Sequence, residues 1–207
     1  MPTTRSTTSA SGRRPRHDPR ETEREILDAA EQFLRERPWR DVTVQAIMER
    51  TELARPAFYA HFKDRHDLAL RVVDRIRDEL FVEANRWFEG EGESDELRAA
   101  LEGVTAVYVE HWPVLKALSD ASGSDATVEA AYHELIQGFV EATERHIREE
   151  QAAGRSPGLD ARETARALVW MVEAYLLEAL GGQTRVDPAK VVDALDRIWS
   201  STLYGTA

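Results

Sequence analysis

Apolar residues along this chain recur every three or four positions and almost nowhere every second one, a period that predicts one helix after another. Asp18-Pro19-Arg20-Glu21 combines a capping aspartate, proline at the first helical position and an acid three residues after the cap. Ile26, Ala29, Ala30, Phe33 and Leu34 follow at helical spacing until Pro38 stops the run. Thr43 caps a second helix whose inward face is Val44, Ile47 and Met48, with Val42 and Ile47 set for an apolar staple across the cap. After the break Thr51-Glu52-Leu53, a very short third helix covers about residues 56–62. Asp64 opens a long fourth helix carrying Leu68, Val72, Ile76, Leu80, Ala84 and Trp87.

"EGEGES" breaks the chain, and Ser94 caps a fifth helix with Leu97, Leu101, Val104 and Tyr108. Pro113 interrupts it, and a short sixth helix runs to about Ala121. The seventh, about residues 125–153, places Val128, Tyr132, Leu135, Phe139, Ala142 and His146 on one stripe, and Gly154 ends it. Asp160-Ala161-Arg162-Glu163 starts the eighth in the manner of a capping box, and Gly181-Gly182 closes it. Asp187-Pro188 starts the ninth, with Val191, Leu195, Ile198 and Trp199. No alternating strand pattern or internal repeat interrupts the series. The expected fold is all-α: an N-terminal three-helix helix-turn-helix domain plus a C-terminal helical bundle, about nine helices in all.

Composition narrows the function. With 207 residues and 42% hydrophobic content, the chain suits one compact domain or two small ones. The absence of cysteine excludes disulfides, thiolate metal sites and thiol nucleophiles. The histidines lack metal-ligand spacing, so neither metal nor cofactor is expected. No apolar leader and no run near the roughly 20 residues of a membrane span are present, which argues against a membrane and leaves the cytoplasm as the default.

The net charge of −11 is unevenly placed: residues 1–66 hold 13 Lys/Arg and 11 Asp/Glu, while the remainder holds 14 and 27. An acidic body repels a polyanion, so only the N-terminal part is suited to approach a phosphate backbone. Residues 1–17 are rich in Ser, Thr and Arg, with four arginines and no acid, and read as a disordered arm. Either the arm is inconsequential or it adds phosphate or minor-groove contacts. Residues 18–66 then form the helix-turn-helix domain and 67–207 the body.

The stretch "ARPAFYAHFKDRHDL" meets a narrow physical demand. A helix lying in a groove needs an apolar face that anchors it and a polar face that reads. Phe58 and Phe62, four apart, anchor; Arg55, Tyr59 and His61 lie around the other sides; Ala57 and Ala60 leave room for close approach. Lys63 and Arg65 emerge where a neighbouring phosphate would lie. Arg55 is the best candidate for a bidentate contact to guanine, worth about 1–3 kcal/mol of discrimination. A solvated helical corner is the plainer alternative.

At "TELARPAFYAHFKDRHDL" the chain also resembles the TetR-family signature, in which a turn leads into a short recognition helix with Phe-Tyr, then a His-Phe pair and a Lys-containing loop. The resemblance covers the first four helices at motif level and the nine-helix layout over the whole chain. It implies phosphate contacts from Thr43, Tyr59 and Arg65, with Lys63 and His61 nearby, and base contacts from Gln45, Arg55, Pro56, Ala57 and Ala60. Two positions depart from the family pattern: Glu52 stands where Gly is common, and Ala54 where Ser or Thr caps the recognition helix. A lost side-chain cap costs roughly 1 kcal/mol.

One helix-turn-helix offers little contact, so a homodimer on a double-stranded, palindromic operator is expected. "ALVWMVEAYLLEAL" is apolar nearly all round except for Glu173 and Glu178, as suits a helix buried on two sides. With the resemblance, the better account is a homodimer through helices eight and nine.

The segments "FVEATERHIREEQAAG" and "LDRIWSSTLYG" resemble the EthR-like subgroup, repressors of monooxygenase genes. That likeness places Tyr108, Phe139, Thr143, Val169, Val172, Leu177 and Trp199 along a ligand tunnel. Leu101, Trp112, Trp170 and Glu173 complete the candidate set, although any one aromatic is as readily ordinary core. Val169 and Val172 replace polar amides of the subgroup, which implies a small apolar or amphipathic effector rather than the subgroup's own. Glu173 is either a paired buried group or a contact to a polar or cationic ligand atom.

Catalysis is disfavoured, because no Gly-x-Ser-x-Gly elbow, phosphate-binding glycine loop or metal constellation is present. The expectation is a ligand-responsive transcriptional repressor. An activator, an effector-independent regulator and a helical protein-interaction module are its rivals.

Overall fold

The computed structural model describes residues 18–90, 94–156, 158–181 and 186–205. Eight α-helices and one 3-10 turn account for nearly all of them, and no strand occurs among the described residues. The helices are α1 (Pro19–Glu36), α2 (Val44–Met48), α3 (Arg55–His61), α4 (Arg65–Phe88), α5 (Ser94–Ser122), α6 (Ala126–Ala152), α7 (Ala161–Gly181) and α8 (Pro188–Tyr204). The expected arm, the middle of "EGEGES", the capping side chain of Ser94 and Gly182 lie outside the described residues.

The capping chemistry sets most boundaries. The Asp18, Thr43, Asp64, Asp125 and Asp187 side chains each accept a backbone N–H in the first turn of the helix that follows. Gly154 takes φ 73°, where a side chain would be strained, and there the Arg155 N–H turns back to the Glu150 carbonyl at 2.9 Å to close α6.

Pro113 does not end a helix, contrary to the sequence expectation: α5 runs through it, so the fifth and sixth expected helices are one. Packing outweighs the local defect here, with Val114, Leu115 and Leu118 fully buried just beyond the proline. The Arg35 side chain donates to the Glu110 carbonyl at 2.7 Å, supplying a donor in the turn that the ring disturbs. The 3-10 turn, Trp39–Asp41, was not foreseen either; it buries Trp39.

α5 lies centrally and packs on α4, α6, α7 and α8, while α1 joins α2 and α3 to α4 and α5. One continuous core runs from Ile26, Phe33 and Phe58 through Leu68, Ile76 and Leu80 to Leu176, Leu195 and Trp199. The helix-turn-helix is therefore seated on the bundle rather than tethered to it. No described helix is long and apolar enough to cross a membrane.

Candidate functional site

α2 and α3 are too short to persist alone and depend on what they bury. Phe58 is fully buried and Phe62 nearly so, their rings 5.3 Å apart, and these two side chains fix the phase of α3. The opposite side is open. Tyr59 is 52% exposed, and Arg55 donates to its hydroxyl at 3.2 Å with the guanidinium 5.7 Å from the ring centre. Pro56, Ala60 and Lys63 are exposed beside them; Ala57 and His61 are half-buried. Ala54 gives α3 no side-chain cap.

On α2, Thr43 and Gln45 are exposed. The Thr43 hydroxyl accepts from the Ala46 N–H at 3.1 Å, and the Gln45 amide donates to Glu49 at 2.9 Å. In the turn, the Glu52 backbone N–H donates to Glu25 of α1 at 3.1 Å, which ties the turn down while the Glu52 side chain stays exposed. Arg65 is more committed than the other basic groups: half-buried, it donates to the Val42 carbonyl at 3.1 Å and lies 5.3 Å over the Trp39 ring. Its remaining N–H groups are the ones left to meet an anion.

Beside the shared core and the ion pairs of Arg71 and Arg75 with α1, three polar contacts bind this head to the bundle. Asp125, the cap of α6, accepts from the Trp39 indole at 3.0 Å and sits 2.9 Å from the His66 ring. The Trp39 N–H foremost, with His66 and the Val128 amide, holds its carboxyl down at about 2. Buried His111 of α5 lies between two carboxylates, Nδ1 3.4 Å from Glu31 of α1 and Nε2 2.9 Å from Glu79 of α4, and they hold its pKa up. Arg35 to the Glu110 carbonyl is the third. Sequence reading missed this seam, because its members are 32 to 86 residues apart.

The bundle encloses an apolar cavity in which the space open to the centre of a water-sized sphere is about 80 Å³. Eight sequence candidates line it: Leu101 and Tyr108 of α5, Phe139 and Thr143 of α6, Val169, Val172 and Glu173 of α7, and Trp199 of α8. Three others lie off it. Trp112 donates to the Leu177 carbonyl at 2.8 Å, joining those two beyond the cavity's end, and Trp170 turns outward to the His133 ring. For Trp170 the reason is helical phase, since residues 169, 172 and 173 share a face and Trp170 stands about 100° from Val169. Leu177 and Trp112 instead each follow a lining residue by four positions and lie one turn further along their helices.

The largest share of the missed wall is α4, with Leu80, Ala84, Trp87 and Phe88; Leu97, Ala100 and Val104 of α5 and Leu135 and Ile136 of α6 complete it. The α4 stripe was legible as core, and nothing in its spacing separates a packed face from a cavity wall. Polar side chains on the wall are few, chiefly Tyr108 and Glu173, with Thr143 of α6 and the Trp199 indole. The Tyr132 hydroxyl donates to Glu173 Oε1 at 2.6 Å, and burial, reinforced by the Glu173 carboxylate, pushes the Tyr108 phenol far up. Burial also raises Tyr132.

Comparison with known proteins follows the same division. Residues 26–72 match the model of bacterial regulatory proteins of the TetR family, and residues 97–205 that of the C-terminal domain of the transcriptional regulator EthR. The HTH-type transcriptional regulator EthR of Mycobacterium tuberculosis is 28% identical, covering 93% of this chain and 90% of the relative. Its namesake in Mycolicibacterium smegmatis is 29% identical, covering 100% and 97%. Among solved structures, a TetR-family regulator from Syntrophomonas wolfei superposes with a TM-score of 0.78 over 89% of this chain and 95% of that one, at 13% identity.

Proposed function

Since the chain belongs to the TetR family of bacterial regulators and carries its EthR-type C-terminal domain, we propose that it represses transcription from a palindromic operator and leaves it when an effector enters the bundle. The protein is a helix-turn-helix transcriptional regulator and not an enzyme. Residues 18–66 serve as the DNA-binding domain, and residues from 67 onward bind the effector and the second subunit.

The observation that carries the reading is the division of α3 into a buried Phe58 face and an open face bearing Arg55 and Tyr59. Arg55 reads a base edge, with Gln45, Pro56, Ala57 and Ala60 around it. Thr43, Tyr59, His61, Lys63 and the free N–H groups of Arg65 meet phosphates. α7 and α8 form the dimer contact. Supporting this, Ala167 and Ala174 of α7 and Ser201 of α8 are exposed small residues that let two copies approach, and Ile198 of α8 is an exposed large apolar one.

α4 couples the two ends. Its 24 residues span about 36 Å, from Arg65 beside the head to Trp87 and Phe88 on the cavity wall. An effector that fits one tilt of α4 better shifts the population toward it and changes the spacing of the two heads. Two successive major grooves lie roughly 34–36 Å apart, so a changed spacing costs operator affinity. The effector is small and apolar or amphipathic. Footprinting of the DNA upstream of the gene, repeated with a panel of lipophilic compounds, tests this. Two protected half-sites that vanish with a compound are expected; absence of protection would refute it.

A further inference from the structure

The cavity wall carries an open anionic acceptor and no cation to meet it. Among the described residues that line it, Glu173 is the single one of the types Asp, Glu, Lys, Arg and His. Among the described residues no basic side chain pairs with it, and its one hydrogen bond there is from Tyr132 to Oε1 at 2.6 Å. Among the described residues Oε2 takes no hydrogen bond and neither does the Tyr108 hydroxyl, and both residues line the cavity. A carboxylate in so apolar a place gives up solvation that one phenol restores only in part.

Resting on the reading of this cavity as the effector site, we propose that it selects amines: a compact apolar body with an ammonium group set against Glu173 Oε2 and the Tyr108 hydroxyl. An ammonium brings three N–H donors and a positive charge, and this corner offers acceptors and a negative one. A neutral alcohol brings one O–H donor and leaves the charge unmet. A carboxylate meets like charge. Val169 and Val172, one turn and one residue before Glu173 on the same face, give a neutral carbonyl compound no amide to bind. Glu173 thus discriminates among molecules that the apolar wall alone would accept alike.

The test uses the full chain and three probes of matched length, hexylamine, 1-hexanol and hexanoate, at neutral pH. Binding is read by calorimetry and by the fluorescence of Trp87 and Trp199, which line the cavity. Hexylamine should bind about tenfold or more tighter than hexanol, as one charge-assisted contact requires, and hexanoate weakest. Glu173→Gln should collapse the gap between amine and alcohol. Tyr108→Phe, which keeps the ring, should narrow it and stands in if the first variant does not fold. Methylamine, with the charge but no body, should give no fluorescence change. Equal binding of amine and alcohol to the wild type, or a preference that survives Glu173→Gln, overturns the amine assignment while leaving the cavity as an effector site. No binding by any of the three overturns both.

Discussion

The seven residues of α3 bury a single side chain, Phe58, whereas the 21 of α7 bury ten. The recognition helix is held by Phe58, with Phe62 just past its end, and presents Arg55, Pro56, Tyr59 and Ala60 outward. α7 is embedded in the bundle and presents its chemistry, Glu173, to an interior space. In the head, function depends on what stays exposed; in the body, on what is enclosed. Each region is accordingly vulnerable to a different substitution, and the seam between them to a third.

The largest effect is expected from Phe58→Ala, which leaves a hole under the one fully buried side chain within α3. It should cost about 3–5 kcal/mol and abolish DNA binding, as read by thermal denaturation and gel shift. Survival of both would mean that the head does not depend on this anchor.

Asp125→Ala addresses the seam. Its folded pKa lies at about 2, below the ordinary 3.8, so its contribution is present above 3.8 and lost as pH falls toward 2. The substitution should cost roughly 2 kcal/mol at neutral pH, and in acid denaturation curves the wild-type advantage should fade below pH 3.8 and vanish as pH falls through about 2. A variant as stable as wild type would remove the seam from the account.

Arg55→Ala should leave the melting temperature unchanged, because the side chain is exposed, while lowering affinity and relaxing one base pair per half-site. The expected loss of discrimination is about 1–3 kcal/mol, checked by competition with point-substituted operators. His111 and His146 make a smaller pair of opposites. Two carboxylates raise His111, so its stabilisation holds below the ordinary value and fades as pH rises through the raised one. Burial against Trp87 lowers His146, whose contribution holds above the ordinary value and is lost as pH falls through the lowered one. Stability curves of His111→Gln and His146→Gln between pH 5 and 8, about the range where histidine titrates, should differ from wild type with opposite slopes.

How much of this was legible in the sequence follows from the same contrast. Caps, staples and the Phe58–Phe62 anchor are local, and local spacing located α1 to α4 to within a residue or two. Pro113 misled because the local rule is strong and the packing of Val114 and Leu115 that overrides it is not local. The cavity depends on how five helices are phased against one another. Val169 and Val172 could be placed beside Glu173 by counting along α7, but Leu80 and Trp87 could not be assigned to the same wall from their own helix. Tyr132 as the partner of Glu173 had no sequence signal beyond its place on the α6 stripe.

The central claim is that Arg55 and Tyr59 face DNA from a helix anchored by Phe58. Fluorescence anisotropy of the labelled upstream duplex, titrated with protein at several salt concentrations, tests it most directly. Tight binding that weakens steeply with salt, and loses base preference in Arg55→Ala, is the predicted result. Indifference of the protein to that duplex at low salt, or identical curves for wild type and Arg55→Ala across operator variants, would contradict it.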